Sequence, residues 1–155
     1  MAKFEHPSDE TVKLIDDVLL TVIEERYAVN AKILVNNEQK EVGKVKKLTA
    51  DVKFSYGDDL QIIVNEVILE RLPAVEQNMY IQELLSGVWF DAENDKLVID
   101  SKDVQTYHGF LSKFGYDKYE VMVESIKSLY EAKNLVFITV CKCPITVDCL
   151  FSLAA

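Results

Sequence analysis

The apolar residues of this chain change their repeat twice, and those changes restrict the fold more than any other feature. Val12, Ile15, Val18, Leu19, Val22 and Ile23 recur at helical spacing, which predicts an amphipathic helix running to about Tyr27. Ser8 or Asp9 can cap it, and Asp9 and Glu10 suit the positive end of its dipole. Leu48, Ala50, Val52 and Phe54 then alternate with Thr49, Asp51, Lys53 and Ser55 at a period of two. Gly57-Asp58-Asp59 turns that run, and Leu60, Ile62 and Val64 resume on one face, so the pair reads as a hairpin. With a short strand over Ala31–Asn36 and a polar connection over Asn37–Lys47, the expectation is a small, mostly antiparallel three-stranded sheet. One of its faces must be covered by a helix.

Beyond Val64 the helical period returns. A helical turn over Glu66–Arg71 leads to Pro73, which fits the first turn of a central helix reaching Val88. Val75, Met79, Leu85 and Val88 mark its apolar stripe, and Glu76, Gln77, Glu83 and Ser86 its polar positions. Trp89-Phe90 and Leu97-Val98-Ile99 flank a turn over Asp91–Lys96, a second small hairpin. Asp100 or Ser101 caps a helix that carries Val104, Tyr107, Phe110, Leu111 and Phe114 and stops at Gly115. Asp117 and Glu120 open a last helix that ends near Asn134. The fold class is therefore α+β, with one domain over residues 1–134 and an apolar tail, 135–155, packed on it or extending it.

Composition narrows the functional classes. Seventeen basic and 26 acidic residues give a net charge of −9, which argues against direct nucleic-acid binding because that depends on neutralising phosphates. An acidic protein can instead dock on a basic protein partner, although negative charge also serves solubility alone. The N-terminus has no apolar signal segment, and the three cysteines, Cys141, Cys143 and Cys149, form no secreted disulfide framework. A cytoplasmic setting is expected. The longest clean apolar run of the tail, Leu135–Cys141, is far short of the roughly 20 residues that span a bilayer, so no membrane association is expected.

Within the central helix, Gln82-Glu83-Leu84-Leu85-Ser86 has the spacing of H-E-x-x-H, in which two histidines one helical turn apart hold zinc and the glutamate is the general base. The glutamate is present and both histidines are absent. Other candidates are thinner. His6 and His108 have no strong ligand at helical spacing, and C-x-C lacks the usual zinc-ligand spacing. Asp16-Asp17, Glu24-Glu25 and Asp58-Asp59 read as solvated acids. Tyr80, Trp89 and Phe90 could form a contact patch or serve as core. No Gly-rich phosphate loop and no G-x-S-x-G occurs, so nucleotide binding and serine hydrolysis have no support.

The order of elements, with Glu83-Leu84-Leu85 after the strand Leu60–Val64 and Lys102-Asp103-Val104 after the second hairpin, resembles the phage metallopeptidase family, a minimal zincin-like fold. In that family H-E-L-L-H is followed by an H-D-V step and an aromatic helix ending at glycine, as in Phe110–Gly115. The resemblance covers about Ser8–Asn134. It implies that Gln82, Ser86 and Lys102 stand at former metal-ligand positions and Glu83 at a relic general-base position. No metal or cofactor is then expected, because carboxamide, hydroxyl and ammonium groups are poor zinc ligands. Lys102 could pair with Glu83 in the ion's place, or both could be solvated. The leading expectation is a catalytically inactive, phage-type binding or inhibitory module that engages a host or viral protein through Glu83, Trp89 and Lys102. The alternatives are a metal-dependent hydrolase with a rearranged site drawing on Glu83, His108 or the cysteines, and an acidic decoy of a nucleic-acid-binding protein.

Overall fold

The first helix, α1 (Asp9–Val22), starts where the capping signal places it. In a computed structural model, which describes residues 3–23, 29–102 and 106–141, the Ser8 hydroxyl accepts from the Thr11 N–H at 3.3 Å. Ser8 also ties the helix start to a distant element: its hydroxyl and its N–H donate to Glu66 Oε1 at 2.7 and 2.9 Å. Thr11, Ile15, Val18 and Leu19 form the buried face. The helix is shorter than its period predicts. Ile23 is already extended (φ −108°, ψ 128°) and turns its side chain into the core, and the expected reach to Tyr27 falls outside the described residues.

The fold is α+β, with a three-stranded sheet of β1 (Ala31–Val35), β2 (Gly43–Lys47) and β3 (Leu60–Val64) in the order β1-β3-β2. β1 runs parallel to β3, Ala31 opposite Leu60, and β2 runs antiparallel to it, Gly43 opposite Val64. Half of the pairing is thus antiparallel. The strand expected over Leu48–Ser55 is instead a helix, α2 (Ala50–Tyr56), that buries none of its residues. Thr49 precedes it and Gly57 closes it in the left-handed region (φ 78°, ψ 2°), and these start and stop signals outweigh a period-2 pattern with no surface to pack on. Phe54, 94 % exposed, shows how little that alternation means. The strand that pairs with β3 comes from the stretch read as a polar connection, and α2 replaces the expected tight turn.

After β3, Asn65 caps α3 (Glu66–Leu69), its Oδ1 accepting from the Ile68 N–H at 3.3 Å. The central helix, α4 (Ala74–Leu85), follows Pro73 and stops three residues before the expected Val88, which already belongs to β4 (Val88–Asp91). β4 pairs with β5 (Lys96–Ile99) in the expected hairpin. The buried apolar residues of α4 are Ile81 and Leu85 on one side and Met79 on another, whereas Val75 is exposed. α5 (His108–Phe114) begins later than a cap at Asp100 or Ser101 requires, and Tyr107 precedes it. Asp103 and Val104 lie outside the described residues. α6 (Tyr116–Cys141) continues past Asn134, a residue that weakens a helix only slightly, and Cys143 and Cys149 lie outside the described residues.

The main core joins the inner sheet face (Ile33, Val35, Leu60, Ile62, Val64) to Ile15, Val18 and Leu19 of α1 and to Ile81 and Leu85 of α4. A second cluster gathers Met79, Phe110, Tyr119 and Met122. α4 contributes to both, and Glu83, one turn after Met79, shares the face that meets the second cluster. Among the described residues no helix is long and apolar enough to cross a membrane.

Candidate functional site

Glu83 does not occupy a polar surface position. It is 3 % exposed, and ionised carboxylates are almost never buried that far without partners. The partners are Lys102 and Thr106, which lie between β5 and α5 in the chain. Lys102 Nζ donates to Glu83 Oε1 at 2.6 Å, and the Thr106 hydroxyl donates to the same oxygen at 2.9 Å. Thr106 is itself 4 % exposed, whereas the Lys102 side chain keeps 42 % of its surface in solvent. The ammonium also lies 5.8 Å from the centre of the Tyr107 ring. One buried acid is thus neutralised by a cation whose stem emerges at the surface.

The charge on Glu83 reaches three tyrosines. Burial pushes the hydroxyls of Tyr80, Tyr107 and Tyr119 above the ordinary phenol range, and the Glu83 carboxylate adds to the rise in each. Tyr107 is fitted closely: a Cβ added at Gly87 would stand 2.5 Å from its hydroxyl, so only glycine leaves room for the ring there. That hydroxyl donates to the Asp100 carbonyl at 3.4 Å, and Trp89 Nε1 donates to Asp100 Oδ2 at 2.8 Å. Trp89, 44 % exposed, is held at the surface by this bond.

Gln82 and Ser86 share a face of α4, as their spacing requires. They line a cleft of about 380 Å³ together with Asp100, Tyr107, His108 and Lys113. Neither is poised to ligate a metal. Gln82 donates to Asn78 Oδ1 and accepts from Lys113 Nζ at 2.9 Å, and the Ser86 hydroxyl donates back to the Gln82 carbonyl at 2.5 Å. With Lys102 Nζ against Glu83, the groups at positions 82, 83, 86 and 102 do not fit a zinc ion: one carboxylate is already neutralised, and the others are a carboxamide, a hydroxyl and a cation. Among the described residues no group of three or more His, Cys, Asp or Glu could hold a metal ion.

The structure therefore brings Glu83 and Lys102 together and sets Gln82, Ser86 and His108 around a neighbouring cleft, with Trp89 held on Asp100. His6 lies elsewhere, in the exposed N-terminal segment. Sequence reasoning missed Thr106, Tyr107, Asp100 and Lys113. Thr106 and Tyr107 were read as positions inside a helix, and nothing local marks a threonine that closes a hydrogen bond 23 residues back. No known protein family, curated protein or solved structure matches this chain.

Proposed function

We propose that this chain is a non-catalytic binding module on a zincin-like frame, in which the Glu83–Lys102–Thr106 cluster stands where a metal and its water would be. The observation that carries the reading is the 2.6 Å contact of Lys102 with the buried Glu83. It satisfies the carboxylate without a metal and removes the free base that a hydrolase needs. Glu83, being buried, acts on a partner only by fixing Lys102. The partner-facing groups are Lys102, Trp89 and the mouth of the cleft at Gln82 and Ser86. An exposed tryptophan held by a hydrogen bond is the kind of anchor that protein interfaces use, and Lys102 adds a partly exposed cation. The partner is a protein of the host cytoplasm or of the virus, a basic one in view of the net charge of −9, if the chain is phage-encoded as its resemblance implies.

Two measurements test the reading. Immobilised protein should retain partner bands from a bacterial host lysate that Trp89→Ala and Lys102→Ala lose and Val121→Ala keeps. Identical profiles for all four proteins count against this surface. Purified protein should contain less than about 0.2 equivalents of zinc while fully folded. A full equivalent favours the rearranged hydrolase, in which His108 and the cysteines are the first ligands to test.

A further inference from the structure

The register of the sheet separates its residues into two faces. Ile33, Val35, Leu60, Ile62, Val64 and Val45 point to the core shared with α1 and α4. Lys32, Gln61 and Lys46 are paired across the three strands on the opposite face, and Leu34, Ile63 and Lys44 form the next row. Ile63 is only 5 % exposed, yet it belongs to neither of the two core clusters found among the described residues. The stems of the neighbouring lysines can shield it while their ammonium groups stay in water. Lys32, Lys44 and Lys46 are all exposed, and none of them has an ion-pair or hydrogen-bond partner among the described residues. On a chain of net charge −9, three cations without side-chain partners around the partly exposed Leu34 form a local field of the opposite sign.

We propose that this outer sheet face is a docking surface for an acidic amphipathic helical segment of a partner protein. It is separate from the cleft beside α4 and does not depend on the reading of that cleft. Three strands spaced about 4.8 Å apart, with five residues each, offer a strip roughly 10 Å wide and 16 Å long, the footprint of three turns of helix. The apolar stripe of such a helix covers the partly exposed Leu34 and the lysine stems beside it. Its flanking carboxylates meet Lys32 and Lys46, about 10 Å apart across the sheet, and Lys44 about 7 Å from Lys46 along β2. A nucleic-acid backbone fits less well. It leaves the partly exposed Leu34 without an apolar partner, and a long polyanion meets the acidic remainder of the surface, whereas a short segment feels mainly the local patch.

The test uses the full chain and a fluorescein-labelled peptide of roughly 18 residues, with leucines at helical spacing flanked by glutamates. Fluorescence anisotropy should show saturable binding that weakens at least about tenfold in the charge-reversal variant K32E/K44E/K46E, and also on raising salt from about 50 to 500 mM. The neutral variant K32Q/K44Q/K46Q should fall between. All three substitutions are at exposed positions, and an unchanged circular dichroism spectrum confirms the fold. Amide resonances of Lys32, Leu34, Gln61, Ile63, Lys44 and Lys46 should move on titration. Four results overturn the proposal: equal affinity in the charge-reversal variant, no saturable binding, resonance shifts confined to the cleft of Gln82 and Ser86, or tighter binding of an oligodeoxythymidine of matched length. Concentration-dependent self-association abolished by the same charge reversal also overturns it, by assigning the face to a second copy.

Discussion

Replacing Lys102 with alanine leaves the Glu83 carboxylate buried with one hydroxyl donor in place of a cation and a hydroxyl. At 2.6 Å and an effective dielectric constant near 20, the gross attraction of the pair is about 6 kcal/mol. Much of this is not lost, because the Lys102 side chain is 42 % exposed and is already partly hydrated. The net loss should therefore lie near 2–3 kcal/mol, between the value of a hydrogen bond to a charged group and the cost of orphaning a fully buried charge. For a chain of 155 residues that corresponds to a fall in Tm of roughly 5–10 °C. Glu83→Gln keeps an acceptor for Lys102 and Thr106 and should cost about 1 kcal/mol. Removing Lys102 from that background should then cost little, so urea denaturation of the two single variants and the double variant should give a coupling of about 1–2 kcal/mol. A cycle that adds to within about 0.5 kcal/mol shows that the two side chains are energetically independent and refutes the reasoning.

Glu66 supplies a pH test. Burial works to raise its pKa, but hydrogen bonds from the Thr11 and Ser8 hydroxyls and the Ser8 N–H outweigh that and hold it below its ordinary value. A carboxyl lowered on folding contributes stability above its unfolded pKa and loses it as pH falls through the folded one. Glu66→Gln should therefore cost about 0.5–1 kcal/mol at pH 7, with allowance for solvent screening, and the gap to the parent protein should narrow in urea titrations as pH falls from the ordinary carboxyl range through the lowered pKa of the folded state. Asn65 is fully buried, and its amide nitrogen lies 3.2–3.4 Å from the carbonyls of Asn37 and Gln39 and the hydroxyl of Tyr130. Asn65→Ala should cost about 2–4 kcal/mol through the lost cap and unsatisfied groups, and hydrogen exchange should quicken at residues 36–42.

The parts of this fold that were legible in the sequence are those held by local signals. Ser8 marks the start of α1, Pro73 that of α4, the Asp91–Lys96 turn makes the second hairpin, and Gly115 ends α5. Misreadings occurred where tertiary context decides. In β2, Gly43-Lys44-Val45-Lys46-Lys47 offers a single apolar residue to the core, so its strand character is invisible until β3 is beside it. The Leu48–Ser55 alternation was the reverse case, a pattern without a surface to bury. The parallel pairing of β1 with β3 passes over the nearer strand, against the usual preference for sequential neighbours. At the site, the sequence offers Glu83 and Lys102 either as a pair or as two solvated groups, and the burial of Glu83 is not readable because its partners lie 19 and 23 residues downstream.

The proposal that the Glu83–Lys102 pair stands in place of a zinc site is tested most directly by supplying the ligands that the proposal says are missing. A variant carrying Gln82→His, Ser86→His and Lys102→His offers three imidazoles at the proposed ligand positions and releases Glu83 from its cation. Isothermal titration with zinc should show about one tight site in this variant and less than about 0.2 equivalents in the parent protein. Equal zinc binding by the two proteins, whether absent from both or stoichiometric in both, would contradict the assignment of residues 82, 86 and 102 as a lost metal centre.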